Sequence, residues 1–124
     1  MTVIIDSDIL IEVARAGNES ILAKWRDLST SDALILFSPV NEAELWAGAR
    51  PREYEGLEAL FGALMCAPAD AVGRRAGEYL RRYRNTHGVE LGDALIAATT
   101  VVNGAMLWTR NREHYPMNEV SFFD

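Results

Sequence analysis

Residues 88–111, GVELGDALIAATTVVNGAMLWTRN, contain a long apolar stretch with one charge near its beginning. Between Leu91 and Val102 the only charged side chain is Asp93. A helix that is apolar on all sides is a buried helix, and a buried carboxylate without a partner is unfavourable. We therefore predict a buried helix here, followed by a strand over 105–109, and we expect a positive partner for Asp93.

Hydrophobic periodicity predicts that strands and helices alternate along the rest of the chain. Strands are expected at 3–6, 33–37, 105–109 and 119–123, with a short strand or a connection at 66–70. Other helices are expected at 7–17, 19–28, 40–49, 53–65 and 70–86, with Asn18, Ser38 and Asp70 as N-caps. Strands separated by helices pair in parallel. The expected fold class is therefore a three-layer α/β/α sandwich with a short, mostly parallel central sheet, forming one domain over 1–124.

Composition narrows the class of protein. With 49% hydrophobic and 24% charged residues, the 124-residue chain is typical of a globular domain. The N-terminus lacks the basic segment of a signal peptide, and no apolar run approaches the ~18 residues of a membrane span. The single cysteine, Cys66, excludes an internal disulfide and a multi-cysteine zinc site. We expect a cytoplasmic protein in which Cys66 is a small core residue.

Polar side chains follow several of the predicted strands. In an open parallel sheet, ligands bind beyond the carboxyl ends of the strands, where the following helices begin. The residues expected at that edge are Asp6, Asp8, Glu42, Glu44, Asp93 and Asn111. Clustered carboxylates repel one another unless a cation lies among them. Oxygen ligands favour Mg²⁺ or Mn²⁺ over zinc, so a divalent ion and a helix N-terminus are expected to neutralise Asp93.

These residues also have purely structural interpretations. Asp93 and Asp6 are suited to the first turn or cap of a helix, and a cap is favoured over a metal ligand for Asp8. Glu44 is equally suited to a favourable interaction with the helix dipole. The two histidines, His87 and His114, lack a partner at metal-ligand spacing and are expected to be structural.

Three segments together resemble the PIN-domain proteins of the VapC type, over nearly the whole chain. These segments are VIIDSDILIE at 3–12, SPVNEAELWAGA at 38–49 and the stretch at 88–111. The resemblance assigns the metal to Asp6, Glu44 and Asp93, with secondary positions for Asp8 and Thr109 and a catalytic position for Asn111. The register of the resemblance selects Glu44 rather than Glu42. Helix geometry agrees that only one of the two can point inward, since residues two apart lie ~200° apart around a helix.

The resemblance implies a function as well as a fold. It implies a PIN-like, Mg²⁺-dependent endoribonuclease, with Mn²⁺ as a possible substitute, that acts as the toxin of a type II toxin–antitoxin pair. The expected partners are an RNA substrate, a cognate antitoxin and a second copy in a homodimer. Asn111 departs from the family, because many members have an acid there, which puts a second metal in doubt. Candidates to replace that acid are Glu113 and Glu119.

The charge distribution bears on RNA binding. A net charge of −6 argues against a nucleic-acid partner, because phosphate contacts need basic surface. Five of the eleven arginines, however, fall within residues 74–84. Such a helix face is more often only solvated, but it is also suited to contacts with an RNA backbone. The candidates for these contacts are Arg74, Arg81, Arg82, Arg110 and Arg112.

Two rival functions remain. The DSD at 6–8 also resembles the opening motif of haloacid-dehalogenase-type phosphatases, in which the first Asp is a nucleophile. That family expects a lysine before its later acids, whereas the only lysine here is Lys24, in an early helix. The other rival is a PIN-like binding module that has lost catalysis through the change at Asn111. Metal-dependent cleavage of RNA separates these three functions.

Overall fold

The computed structural model describes all 124 residues. It contains five strands, which are β1 (Thr2–Ile5), β2 (Leu34–Phe37), β3 (Met65–Cys66), β4 (Met106–Trp108) and β5 (Ser121–Phe122). The six helices are α1 (Ser7–Arg15), α2 (Glu19–Ser29), α3 (Pro39–Gly48), α4 (Tyr54–Ala63), α5 (Val72–His87) and α6 (Leu91–Val102). Single 3₁₀ turns occur at Pro51–Glu53 and Arg112–His114. None of the helices is both long and apolar enough to cross a bilayer.

The strands form one sheet in the order β3-β2-β1-β4-β5, and every neighbouring pair is parallel. The central strand β1 pairs with β2 on one side and β4 on the other, with Ile4 opposite both Leu36 and Leu107. The predicted three-layer α/β/α fold is therefore confirmed. The chain leaves β1 toward β2 and β3, and later returns to add β4 and β5. The point between β1 and β4 is thus the topological switch, where ligands bind in open parallel sheets.

Helices cover both faces of the sheet, which explains why its strands are apolar throughout. Along β1, Ile4 belongs to the core beneath α5 and α6, while Val3 and Ile5 belong to the core beneath α1 to α4. This alternation follows from the two-residue period of a strand. The predicted burial of α6 is confirmed over its central residues. Its two buried hydroxyls, on Thr99 and Thr100, donate to carbonyls of the preceding helical turn.

The predicted helix starts are partly confirmed. Asn18 accepts a hydrogen bond from the Ile21 N–H, and Ser38 accepts one from the Asn41 N–H, as expected of N-caps. Asp70 is not a cap, because α5 begins only at Val72. The backbone itself makes that helix start, since the Val72 N–H donates to the Ala69 carbonyl.

Three further expectations are corrected. Asp8 is not a cap, because Asp6 precedes α1 directly and accepts a hydrogen bond from the Ser7 N–H. Cys66 is exposed rather than a core residue, since β3 is a two-residue strand at the edge of the sheet. The predicted strand at 119–123 shortens to Ser121–Phe122.

Candidate active site

A cavity of about 330 Å³ opens at the carboxyl ends of β1 and β4, beside the N-termini of α1 and α6. It is lined by Asp6, Ser7, Asp8, Glu44, Glu90, Asp93, Ile96, Asn111, His114 and Tyr115. The structure thus brings the four predicted site residues Asp6, Glu44, Asp93 and Asn111 to one cavity. They come from four separate segments of the chain, and the strand order places those segments side by side.

Asp6 is the most constrained carboxylate of the cavity. It is buried and accepts four hydrogen bonds. On Oδ1 the donors are the Ser7 N–H at 2.8 Å and Asn41 Nδ2 at 3.2 Å. On Oδ2 they are Thr109 Oγ1 at 2.8 Å and the Tyr115 hydroxyl at 2.7 Å. Asp6 is therefore both the cap of α1 and a member of the acidic cluster, and its orientation is fixed from four directions.

Glu44 is linked to Asp6 through two intermediate side chains. The Ser7 hydroxyl donates to Glu44 Oε1 at 2.7 Å and accepts from Asn41 Nδ2 at 2.9 Å. Asn41 is fully buried and exchanges hydrogen bonds with Ser38 at the start of α3. The same amide nitrogen thus contacts Asp6 and the serine that holds Glu44.

The neighbouring acid Glu42 points away from the cavity. Its carboxylate accepts a hydrogen bond from Trp46 Nε1 at 3.3 Å, one helical turn further along α3. Glu42 is absent from the cavity lining, whereas Glu44 is part of it. This difference is what a separation of ~200° around a helix produces.

Asp93 lies in the first turn of α6 and is half-buried. Its Oδ2 accepts from the Glu90 N–H at 3.3 Å, and its Oδ1 lies 3.7 Å from His114 Nδ1. Burial raises the pKa of Asp93 above its ordinary value, while the Glu90 hydrogen bond and the His114 ring oppose that rise. The partners of Asp93 in this structure are therefore a helix N-terminus and a histidine. His114, expected to be structural, lines the cavity.

Asp8 is less exposed than Asp93 and lies beside Arg110. Its Oδ2 accepts from the Arg110 N–H at 2.8 Å, and the Arg110 guanidinium also lies 3.6 Å from Glu12. The other oxygen, Oδ1, is buried and has no hydrogen-bond partner. Burial raises the pKa of Asp8, the hydrogen bond from Arg110 lowers it, and the nearby Asp6 carboxylate raises it further. Asp8 is thus a cavity residue with unused acceptor capacity.

Asn111 and Thr109 follow β4. The Asn111 N–H donates to Thr109 Oγ1 at 3.0 Å, so the hydroxyl that binds Asp6 is itself held in place. Glu113 and Glu119 were the candidates to replace the acid that many family members have at the position of Asn111, and neither lines the cavity. Glu113 is exposed, and Glu119 forms an ion pair with Arg82 at 3.4 Å.

The five candidate arginines differ in how free they are. Arg82 pairs with Glu119, Arg110 with Asp8 and Glu12, and Arg112 with Asp124. Arg74 is almost fully exposed and lies 3.9 Å from Glu78. Of the five, only Arg81 has no carboxylate partner, and it is exposed on α5.

The chemistry of the cavity can be compared with the demands of a divalent ion. The carboxylate and amide oxygens of the cavity, including the unpartnered Asp8 Oδ1, are the kind of ligand that Mg²⁺ or Mn²⁺ prefers. No three Asp, Glu, His or Cys side chains, however, lie close enough together to hold an ion directly. Mg²⁺ usually keeps several waters and takes only one or two carboxylates. The residues therefore fit a hydrated ion rather than one enclosed by protein ligands.

Several residues that contact the acids of the cavity were missed in the sequence. Ser7, Asn41 and Tyr115 contact the acids through hydrogen bonds that span up to 109 positions, so no local spacing marks them. The one local signal is Asn41, which stands three residues after the cap Ser38. Burial and the Asp6 carboxylate raise the pKa of Tyr115, so its phenol keeps its proton and remains a donor.

Comparisons with known proteins agree with this architecture. Residues 3–120 match the PIN domain family. Ribonuclease VapC10 of Mycobacterium tuberculosis is 38% identical over 119 residues, which cover 94% of this chain and 88% of that protein. Among solved structures, VapBC2 from Rickettsia felis bound to promoter DNA aligns with a TM-score of 0.83, at 20% identity and 99% and 98% coverage. A toxin-antitoxin complex from Klebsiella pneumoniae aligns with a TM-score of 0.66, at 21% identity and 95% and 94% coverage. The chain therefore belongs to the PIN-domain family and, within it, to the VapC-type proteins.

Proposed function

We propose that this protein is a Mg²⁺-dependent endoribonuclease, with Mn²⁺ able to replace Mg²⁺, and the toxin of a toxin–antitoxin pair. The observation that carries the proposal is the meeting of Asp6, Glu44, Asp93 and Asn111 in one cavity at the switch point of the sheet. Further support comes from a relative that is named a ribonuclease.

In the proposed reaction, Asp6, Glu44 and Asp93 would hold a hydrated divalent ion, in part through its water molecules. The chemistry that such an ion would supply is a lowered pKa for water and positive charge beside the phosphodiester. Thr109 and Asn41 keep the Asp6 carboxylate in one orientation, and Ser7 does the same for Glu44.

The uncharged and basic groups of the cavity have a different task. The Asn111 amide orients a water or a phosphate oxygen without adding negative charge. His114, about half exposed, lies beside Asp93 at the surface and can donate an N–H to a phosphate oxygen. These two side chains suit a site that must accept an anion beside several carboxylates.

RNA binding requires basic surface outside the cavity. Among Arg74, Arg81, Arg82, Arg110 and Arg112, the strongest candidate for a phosphate contact is Arg81, because no carboxylate neutralises it. The others can contact RNA only by sharing or exchanging a carboxylate partner.

The proposed partners follow from the relatives. The Klebsiella structure is a toxin-antitoxin complex, and the Rickettsia structure contains VapBC2 with promoter DNA. We therefore extend to this chain a cognate antitoxin that inhibits it. A homodimeric state and a cytoplasmic location are also proposed, on the resemblance of the sequence alone.

A PIN-like binding module remains the second candidate. It is favoured by the four donors that already surround Asp6 and by the lack of three metal-binding side chains at close range. The phosphatase is disfavoured, since Lys24 lies on α2 outside the cavity and Asp6 is fully hydrogen-bonded.

The functions are tested with purified protein, a panel of structured RNAs and p-nitrophenyl phosphate, each with and without Mg²⁺. Internal RNA cleavage that needs Mg²⁺ is expected. Turnover of the small phosphoester alone would indicate a phosphatase, and no turnover of either substrate would indicate a binding module.

A further inference from the structure

Asp6 accepts as many hydrogen bonds as its carboxylate has lone pairs. A carboxylate offers about four lone-pair sites, and Asp6 receives four donors, two on each oxygen. A metal ion that binds Asp6 directly needs one of these lone pairs. One donor must therefore yield when the ion arrives.

Three of the four donors are held in place by other contacts. The Ser7 N–H belongs to the backbone at the start of α1. Asn41 is fully buried and locked to Ser38. Thr109 directly follows β4, and its hydroxyl also accepts the Asn111 N–H.

Tyr115 is the remaining donor, and its surroundings differ. It is the only donor side chain on Asp6 that also lines the cavity, since Asn41 and Thr109 lie outside the lining. It follows the 3₁₀ turn at Arg112–His114 and belongs to neither a helix nor a strand. Its hydroxyl donates to Asp6 Oδ2, and both residues line the cavity.

We propose that the Tyr115 hydroxyl and a divalent cation compete for the same lone pair of Asp6 Oδ2, so that Tyr115 weakens metal binding. This inference rests on the proposed function, in which Asp6 is a metal ligand. Without the ion, the O–H dipole provides the positive partner that a buried carboxylate needs. Tyr115 thereby stabilises the metal-free protein and lowers its affinity for the ion.

Tyr115→Phe separates competition from a merely structural role, because the two predict different pairs of results. Loss of a hydrogen bond to a charged group destabilises the metal-free protein, which lowers its Tm by several degrees. The same loss frees a lone pair of Asp6, so the Kd for Mn²⁺ falls at least about tenfold. A structural role alone predicts the lower Tm without the tighter binding.

The experiment is a calorimetric titration of Mn²⁺ into the RNA-free protein, together with thermal melts with and without Mn²⁺. The variants are wild type, Tyr115→Phe, Asp6→Asn and a matched control, Tyr79→Phe. Tyr79 is fully buried and its hydroxyl has no hydrogen-bond partner, so its loss should leave the Kd unchanged and should not lower the Tm.

The outcomes are distinguishable. Mn²⁺ binding that Asp6→Asn abolishes and Tyr115→Phe tightens supports the competition. Binding that Asp6→Asn abolishes but Tyr115→Phe leaves unchanged or weakens overturns the competition and leaves the proposed metal centre intact. Identical titrations for wild type and Asp6→Asn place no ion on Asp6, which overturns both.

Discussion

The Thr109 hydroxyl donates a 2.8 Å hydrogen bond to Asp6 Oδ2, joining two buried side chains 103 positions apart. The contact exists because β1 and β4 are neighbours in the sheet and both end at this edge. A strand order that separated β1 from β4 would leave both side chains without this partner. The strand order thus places Asp6 beside the segment that carries Asn111.

Thr109→Val should weaken this contact while keeping the shape of the side chain. A hydrogen bond to a charged group contributes about 1.5–3 kcal/mol, so we expect the free energy of unfolding to fall by about that amount, measured by urea denaturation. RNA cleavage should also fall, because Asp6 loses one of its orienting donors. Thr100→Val is the matched control, since the buried Thr100 hydroxyl donates only to its own helix backbone. Equal losses in the free energy of unfolding for both variants would mean that the bond to Asp6 stabilises the fold no more than a hydroxyl bond to the helix backbone does.

Glu44→Gln should reduce RNA cleavage by at least about 100-fold, a loss of roughly 3 kcal/mol of transition-state stabilisation. Glu42→Gln should leave cleavage near the wild-type rate, because Glu42 binds Trp46 outside the cavity. Both variants keep a side chain of the same size on α3, so initial rates can be compared directly. A larger loss for Glu42→Gln would show that the wrong face of α3 has been assigned to the metal.

Much of the fold was predictable from sequence because it rests on local periodicity. The buried α6 follows from an apolar stretch with one charge, and α3 follows from the cap Ser38. Two predictions from side-chain chemistry failed because the backbone sets the bounds of the helix and of the strand. Asp70 has the chemistry of a cap, but backbone hydrogen bonding at Ala69 starts α5 instead, and Cys66 is exposed because β3 stops after two residues at the sheet edge.

The candidate site was predictable in its acids and not in their partners. Asp6 and Asp93 follow from their places at the ends of elements, which sequence periodicity reveals. Tyr115, Asn41 and His114 contact the acids across the fold, and sequence spacing does not reveal those contacts. The position of Arg110 was predictable, but its engagement with acids of α1 was not.

Asn111→Asp should lower the Mg²⁺ concentration needed for half-maximal RNA cleavage. It adds a carboxylate to the cavity, and an Asp with the ordinary pKa of about 3.9 is already ionised at neutral pH. Asn111→Ala should raise the Mg²⁺ requirement but keep measurable activity, since a water can replace the amide as an oxygen donor. An unchanged Mg²⁺ requirement in Asn111→Asp would show that this side chain does not face the ion.

Arg81→Gln should weaken RNA binding and reduce the slope of log K against log salt by about 0.7–0.9, as expected for the loss of one phosphate contact. Arg82→Gln is the matched control on the same helix, because Arg82 is paired with Glu119 and should contribute less. Both variants are made in a catalytically inactive form of the protein. Their binding to labelled RNA at several salt concentrations gives the two slopes. Identical slopes for wild type and Arg81→Gln would make this face of α5 a solvated surface.

We infer that carboxylates in this cavity support metal-dependent RNA cleavage, and the substitution Asp93→Asn tests this inference. The substitution retains an oxygen that can accept the Glu90 N–H and removes a charge that burial disfavours, so the variant should fold as stably as wild type. The measurement is the rate of RNA cleavage by wild type and Asp93→Asn, each in Mg²⁺ and in EDTA, with Tm determined on the same samples. We predict that the wild type cleaves RNA in Mg²⁺ but not in EDTA. The Asp93→Asn variant should be fully folded and should cleave RNA in neither condition. Cleavage that persists in EDTA, or wild-type rates from Asp93→Asn, would contradict the claim.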